Sequence, residues 1–166
     1  TLFRSNTLKM DNPLLTYRGK GSKDFIQPRP IILDSHLKSP INSNIFKIGN
    51  NPVIISENIE NYKKEKKLKN MGVEIKTLKS MTPRKIINAL YKLNLQRVLV
   101  EGGGQVFSSF IKHNLWDEII FYYVKTLYGK NSISMTDSLD KLVDISSDCK
   151  TEVKRIGNSF RVKITK

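Results

Sequence analysis

The sequence predicts an α/β domain, with a sheet largely parallel in its middle and closed by an antiparallel hairpin. Three observations carry this expectation. After residue 30, short apolar runs rich in β-branched residues alternate with segments whose apolar residues recur at helical spacing. The runs are bounded by Pro, Gly and Asp, as buried strands are. The chain closes on two strand-like segments separated by Gly157-Asn158, a two-residue hairpin turn. A length of 166 residues is enough for one domain with a substantial core.

Taken in order, Pro30-Ile31-Ile32-Leu33-Asp34 reads as a buried strand, and Pro52-Val53-Ile54-Ile55-Ser56 repeats the pattern. Residues 58–71 read as a helix that stops at Gly72. Val73-Glu74-Ile75 enters another strand. Thr82-Pro83 places an N-cap residue before Pro at the first helical position, and Ile86, Ile87, Leu90 and Leu93 form one apolar stripe. Arg97-Val98-Leu99-Val100 is expected to be a strand, residues 104–114 a helix and residues 118–127 a long strand rich in Ile, Phe and Tyr. Residues 152–156 and 159–164 complete the hairpin. Polar loops at residues 19–29 and 128–138 are candidates to border a ligand.

Composition removes several function classes. No apolar run approaches the ~18 residues of a membrane span. The single cysteine, Cys149, rules out a disulfide framework or a cysteine-rich zinc site, and His36 and His113 lack metal-ligand spacing. No secretory signal opens the chain, so a cytoplasmic setting is expected. The net charge of +14 resembles that of a nucleic-acid-binding protein. However, lysine outnumbers arginine 22 to 7 and Ala89 is the only alanine, which points to compositional drift. The densest basic run, at residues 63–69, lacks interleaved aromatics and reads as a solvated helix face. The chain opens on Thr1, and its first residues read as the inside of an element, as in a processed chain or a piece of a longer protein.

The sharpest local signal is Leu99-Val100-Glu101-Gly102-Gly103-Gly104-Gln105, a strand running through three glycines into a helix. Glycines let the backbone approach a ligand closely, and free N–H groups at a helix start favour an anion. This is neither the dinucleotide GxGxxG nor a P-loop. It is consistent with phosphate binding, the alternative being a tight packing turn. Glu101, at the strand end, is either a cap for nearby amides or an acceptor for a polar substrate. A second signal is the block at residues 5–18. Asp11-Asn12-Pro13 is turn chemistry, and Thr7 and Asp11 would share one face of a helical turn.

Together, Asn-Thr-(x)3-Asp-Asn-Pro-x-Leu-Thr-x-Arg at residues 6–18, Leu33-Asp34-Ser35 and Val100-Glu101-Gly102-Gly103 resemble the reductase domain of the bifunctional riboflavin-biosynthesis deaminase/reductase. Gly72-Val73-Glu74, Leu115-Trp116-Asp117-Glu118, Leu127-Tyr128-Gly129 and the closing hairpin extend the resemblance over most of the chain. It implies a dihydrofolate-reductase-like mixed sheet, mostly parallel, with a C-terminal antiparallel hairpin and helices on both faces. The implied activity is NADPH-dependent reduction of the ribosylamino sugar of 5-amino-6-(5-phosphoribosylamino)uracil to its ribitylamino form. Carried over by position, Thr7, Asp11, Ser35, Gly103, Gly104, Gln105, Val106 and Phe107 are expected to contact NADPH. Leu15, Arg18 and Glu101 are expected to contact substrate, with Arg18 facing its phosphate. No catalytic acid is assigned, and no metal.

Residues 1–166 are read as a single reductase domain lacking the family's first strand and helix and any preceding deaminase domain. Arg4 stands where many members have a small residue. The resemblance also implies a homodimer, to which Phe121 and Tyr123 on the long strand either contribute or, alternatively, fill the core. Ser35, His36 and Lys38 are candidates for the cofactor's 2′-phosphate. Competing readings are a diaminopyrimidine-type reductase of the same fold acting before deamination, a basic nucleic-acid-binding module, and a non-catalytic scaffold domain.

Overall fold

The computed structural model describes residues 1–19, 26–127, 132, 134–136, 139, 145 and 148–166. Residues 20–25 of the 19–29 loop candidate and most of the 128–138 candidate, including Tyr128 and Gly129, lie outside the described residues. Four strands, β1 (Leu2–Arg4), β2 (Ile31–Leu33), β3 (Val53–Ser56) and β4 (Glu74–Thr77), form a parallel sheet in that order. Residues 97–101 extend it beyond β1. Leu2 N–H donates to the Leu99 carbonyl at 2.8 Å, and Glu101 N–H donates to the Leu2 carbonyl at 2.9 Å. Three more strands, β5 (Glu118–Tyr123), β6 (Lys150–Ile156) and β7 (Ser159–Thr165), form an antiparallel sheet in the order β5-β7-β6.

The central strands β2 and β3 are almost wholly apolar because both their faces are covered, whereas the edge strand β4 is Glu74-Ile75-Lys76-Thr77. Side chains alternate. Leu2, Ile31, Leu33, Val53 and Ile55 join one core cluster with Ile86 and Leu90 of α3 (Pro83–Lys92) and Val106 and Phe110 of α4 (Gly104–Lys112). Phe3, Ile32 and Ile54 join the opposite cluster with Leu8 of α1 (Ser5–Asp11) and Leu68 of α2 (Tyr62–Asn70). Helices therefore lie on both faces, and register is fixed because a one-residue slip would exchange the two cores. A third cluster, Ile111, Ile119 and Ile164, joins α4 to the antiparallel sheet.

Several boundaries differ from the sequence reading. The second helix begins at Tyr62, not residue 58. Asn58 N–H is held by the Ser35 carbonyl at 2.8 Å, and Asn61 is the cap, accepting from Lys64 N–H at 2.9 Å. Residues 97–100 form no full strand, only a bridge from Val100 to Leu2, because β1 offers them so short an edge. The α4 helix ends at Lys112 rather than 114, and β5 ends at Tyr123 rather than 127. Tyr123 pairs with Phe160, one residue from the start of β7, so β5 runs out of partner there. Phe121 is partly buried, its ring edge-on to Phe107 at 6.1 Å between centroids, whereas Tyr123 is 57% exposed. Cys149 is partly buried against the third cluster.

The basic run forms α2, which buries Leu68 and turns its lysines outward, with Lys69 paired to Glu65 at 2.7 Å. Among the described residues no helix is long and apolar enough to cross a membrane. At the sheet's N-terminal edge, Glu74 bonds Lys76 at 2.8 Å and Arg29 at 2.5 Å. The Lys76 bond, reinforced by Arg29 and opposed by burial, holds the Glu74 carboxyl below its ordinary range. A depressed native value means that the stabilisation is present above the unfolded carboxyl's pKa of about 4.3 and is lost as pH falls through the native value. Glu74→Gln is therefore expected to lower the unfolding free energy from urea titration at pH 7, by less than about 1 kcal/mol because the pair is solvent-screened. The difference should fade as pH falls below the ordinary carboxylate range.

Candidate active site

Every parallel strand ends at the same edge, and ligands of open α/β sheets bind outside that edge. Here it carries a cleft of about 220 Å³ bordered by Arg4, Leu33, Ser35, Met81, Pro83 and Ile86, and by Gln105, Val106, Ser109 and Phe110 of α4. That is below the roughly 300–1,000 Å³ of sites enclosing drug-sized ligands, so it suits one portion of a nucleotide. A larger, more open depression of about 490 Å³ surrounds Arg29, Asn51, Gly72 and Glu74. It lies at the opposite edge, away from the strands' carboxyl ends, and its charged groups are taken up in ion pairs, Arg29 with Glu74 and Lys69 with Glu65.

The cleft follows from local sequence. Asp34, buried at the end of β2, accepts from Lys38 N–H at 2.8 Å and from Ser39 N–H and Oγ, both at 2.6 Å. This carboxylate is spent on shaping the turn that presents Ser35. The Ser35 carbonyl is taken by Ser56 Oγ and the amides of Glu57 and Asn58, while Ser35 borders the cleft and its hydroxyl has no partner among the described residues. Gly103 is the N-cap of α4, and its carbonyl accepts from Val106 N–H at 3.0 Å. The N–H groups of Gly104 and Gln105, in the first turn, have no intrahelical acceptor. A Cβ at Gly103 would meet nothing within 4 Å, so a ligand can approach its backbone. Arg4 Nη1 donates to Gln105 Oε1. A free hydroxyl, open helix-start amides and a guanidinium form a donor set for phosphate oxygens. Among the described residues no group of three or more His, Cys, Asp or Glu side chains gathers as a metal site.

The structure brings Ser35, Gln105 and Val106 together at the cleft, with Gly103 and Gly104 at its helix start. Phe107 N–H is bonded to the Gly103 carbonyl at 3.3 Å, and its ring leans on Phe121. Thr7 and Asp11 share α1 as expected but do not line this cleft. Asn12 closes α1 in the left-handed conformation (φ 40°), and its Oδ1 accepts from Asn44 N–H at 2.8 Å. Leu15, also left-handed at φ 50°, packs against the second cluster. Arg18 and Glu101 are exposed. Strand alternation from Val100, which packs on the first cluster, turns Glu101 toward the face of the second. The candidate substrate residues are thus not gathered at the cleft. His36 and the Lys38 side chain are exposed beside Ser35. The sequence reading missed Met81, Pro83 and Ser109. Thr82-Pro83 was the available signal, because a helix that follows a parallel strand starts at the ligand-binding edge.

The family model described as the RibD C-terminal domain matches residues 2–159. The chain belongs to this family. Its relatives include the riboflavin biosynthesis protein RibD of Aquifex aeolicus, 33% identical over 125 residues, covering 75% of this chain and 34% of that protein. The 2,5-diamino-6-ribosylamino-4(3H)-pyrimidinone 5′-phosphate reductase of Archaeoglobus fulgidus is 28% identical over 166 residues, covering 94% of this chain and 74% of that protein. The fold is that of Acinetobacter baumannii RibD, with a TM-score of 0.80 and 19% identity over 99% of this chain and 46% of the other. The chain therefore spans about a third to a half of the RibD proteins it matches. Within the RibD C-terminal domain, the described cleft sits where the glycine loop and the Leu33-Asp34-Ser35 block converge.

Proposed function

We propose that this chain is the reductase domain of riboflavin biosynthesis, converting the ribosylamino sugar of 5-amino-6-(5-phosphoribosylamino)uracil to its ribitylamino form with NADPH. The observation that carries the proposal is the cleft of phosphate donors at the sheet's carboxyl edge, in a chain matched to the RibD C-terminal domain over residues 2–159. The donors fit a dinucleotide's pyrophosphate, with Gly103, Gly104 and Gln105 offering amides and Ser35 its hydroxyl. When bound, the nicotinamide supplies the hydride, so the protein's task is orientation and exclusion of water. Ile86, Val106 and Phe110 give the cleft an apolar wall that favours a fixed pose over a hydrated one. Glu101 accepts hydrogen bonds from substrate hydroxyls, and Arg18 grips the substrate phosphate bidentately. The proposal extends to a homodimer in a cytoplasmic setting, and the exposed Tyr122 and Tyr123 of β5 are available to a subunit interface.

Calorimetric titration tests the cofactor half. NADPH is expected to bind clearly more tightly than NADH. Binding of neither by the folded chain would overturn the proposal. Arg18→Ala is expected to raise KM for the phosphorylated substrate about 10- to 100-fold while leaving a dephosphorylated analogue unaffected. Equal losses for both substrates would remove the phosphate assignment.

A second reading rests on the Archaeoglobus relative, whose name specifies a diaminopyrimidinone substrate and of which this chain covers 74%. Here reduction would precede deamination. Comparing kcat/KM for the amino and deaminated substrates separates the two.

A further inference from the structure

Arg4 is the residue at which this chain departs from the pattern it resembles, and it lies inside the cleft. It ends β1, shares the alternation of Leu2 and so projects to the face of the first core cluster. There it is half-buried and borders the cleft with Ser35, Met81 and Gln105. Nη1 donates to Gln105 Oε1, its one bond among the described residues. No carboxylate of the described residues pairs with it. A guanidinium carries five N–H donors, so most of its capacity is unused.

Arg4 sits beside the starts of two helices. Gln105 lies in the first turn of α4, and Pro83, the first residue of α3, borders the same cleft. Helix N-termini carry partial positive charge and disfavour a neighbouring cation. The Gln105 amide orients the guanidinium without neutralising it. Arg4 is also the N-cap residue of α1, where its side chain makes no cap bond. An anion between the guanidinium and the α4 amides would resolve the arrangement. We propose that Arg4 is a binding residue for the dinucleotide's pyrophosphate, held in place by Gln105 as a positioning residue. This inference rests on the reading of the cleft as the cofactor site.

The test is titration of the wild type, Arg4→Ala, Arg4→Lys and Gln105→Glu with NADPH and with NADH, alongside thermal melts without ligand. Pyrophosphate is common to both nucleotides. Arg4→Ala is therefore expected to weaken both equally, about 10- to 100-fold, with no loss of melting temperature. Arg4→Lys keeps the charge, loses the fork and should recover only part of the affinity. Gln105→Glu neutralises Arg4 and repels phosphate. It should weaken both nucleotides while leaving the unliganded melt unchanged or raised, which a merely structural role would not produce. Unchanged affinity in Arg4→Ala would overturn the proposal. Tighter binding would also overturn it, by showing that the side chain obstructs the cleft. A loss confined to NADPH would move Arg4 to the 2′-phosphate and overturn the pyrophosphate assignment. A folded wild type that binds neither nucleotide would instead overturn the site reading itself, and the role of Arg4 with it.

Discussion

Replacing Ile54 with alanine is expected to lower the unfolding free energy by about 2–5 kcal/mol, a large part of the roughly 5–15 kcal/mol that holds a typical domain. Ile54 is fully buried on β3, flanked in register by Ile32 of β2 and Ile75 of β4. Its cluster also contains Leu8 of α1 and Leu68 of α2. Truncation removes three carbons from water-free contact and leaves a cavity between a sheet and two helices that backbone hydrogen bonds keep from collapsing. Ile54→Val should cost only about 0.5–1.5 kcal/mol. Lys66→Ala, on the exposed side of α2, should stay within about 0.5 kcal/mol. Urea titrations with a shared slope would establish the ranking, and a cost for Ile54→Ala comparable to that of Lys66→Ala would show that this cluster is not the core.

Gly104→Val is expected to damage folding and the site together. A Cβ on Gly104 would lie 2.6 Å from the Ser134 carbonyl oxygen and 2.9 Å from that of Met135. Both are backbone atoms and cannot swing aside as a side-chain end would. Ser108, fully buried, also directs its hydroxyl to the Met135 carbonyl at 3.5 Å, so this segment is seated on α4. Overpacking of this kind costs about 1–3 kcal/mol, and nucleotide affinity should fall with it. Gly103→Ala supplies the contrast. Its Cβ meets nothing and its φ of −60° suits alanine, so the melt should hold while nucleotide affinity drops because the ligand's approach is blocked. A normal melt for Gly104→Val would contradict the packing argument. Normal binding by Gly103→Ala would remove the ligand from that backbone.

Much of this arrangement was legible in the sequence because burial leaves compositional traces. Ile31, Ile32 and Leu33 are apolar on both faces, and Thr82-Pro83 marks a helix start by chemistry that few other contexts require. Gly102, Gly103 and Gly104 located the loop at the ligand edge. The missed boundaries depended on long-range partners. Asn58 and Asn61 are equivalent caps in the sequence, and only the Ser35 carbonyl distinguishes them. Tyr123 ends β5 because of where β7 begins. Arg4 attracted notice only as a departure, and its meeting with Gln105 depends on β1 and α4 being brought side by side. Ser35 and Gln105 border the cleft while Leu15 packs on the opposite cluster, a separation set by tertiary packing beyond any local motif.

The pairing of residues 97–101 with β1 has a consequence for how the molecule is made. Leu2 bonds Leu99 and Glu101, and Arg4 meets Gln105 across a sequence separation of 101 residues. During synthesis from the N-terminus, β1 through β4 can assemble before the edge beside β1 exists. The cleft cannot close until α4 has emerged, because one wall ends β1 and the other lies 101 residues later. Contacts of such separation are slow to form and gain stability only once the intervening loop entropy has been overcome. Cofactor-binding competence should therefore be acquired late in folding, after the parallel sheet itself.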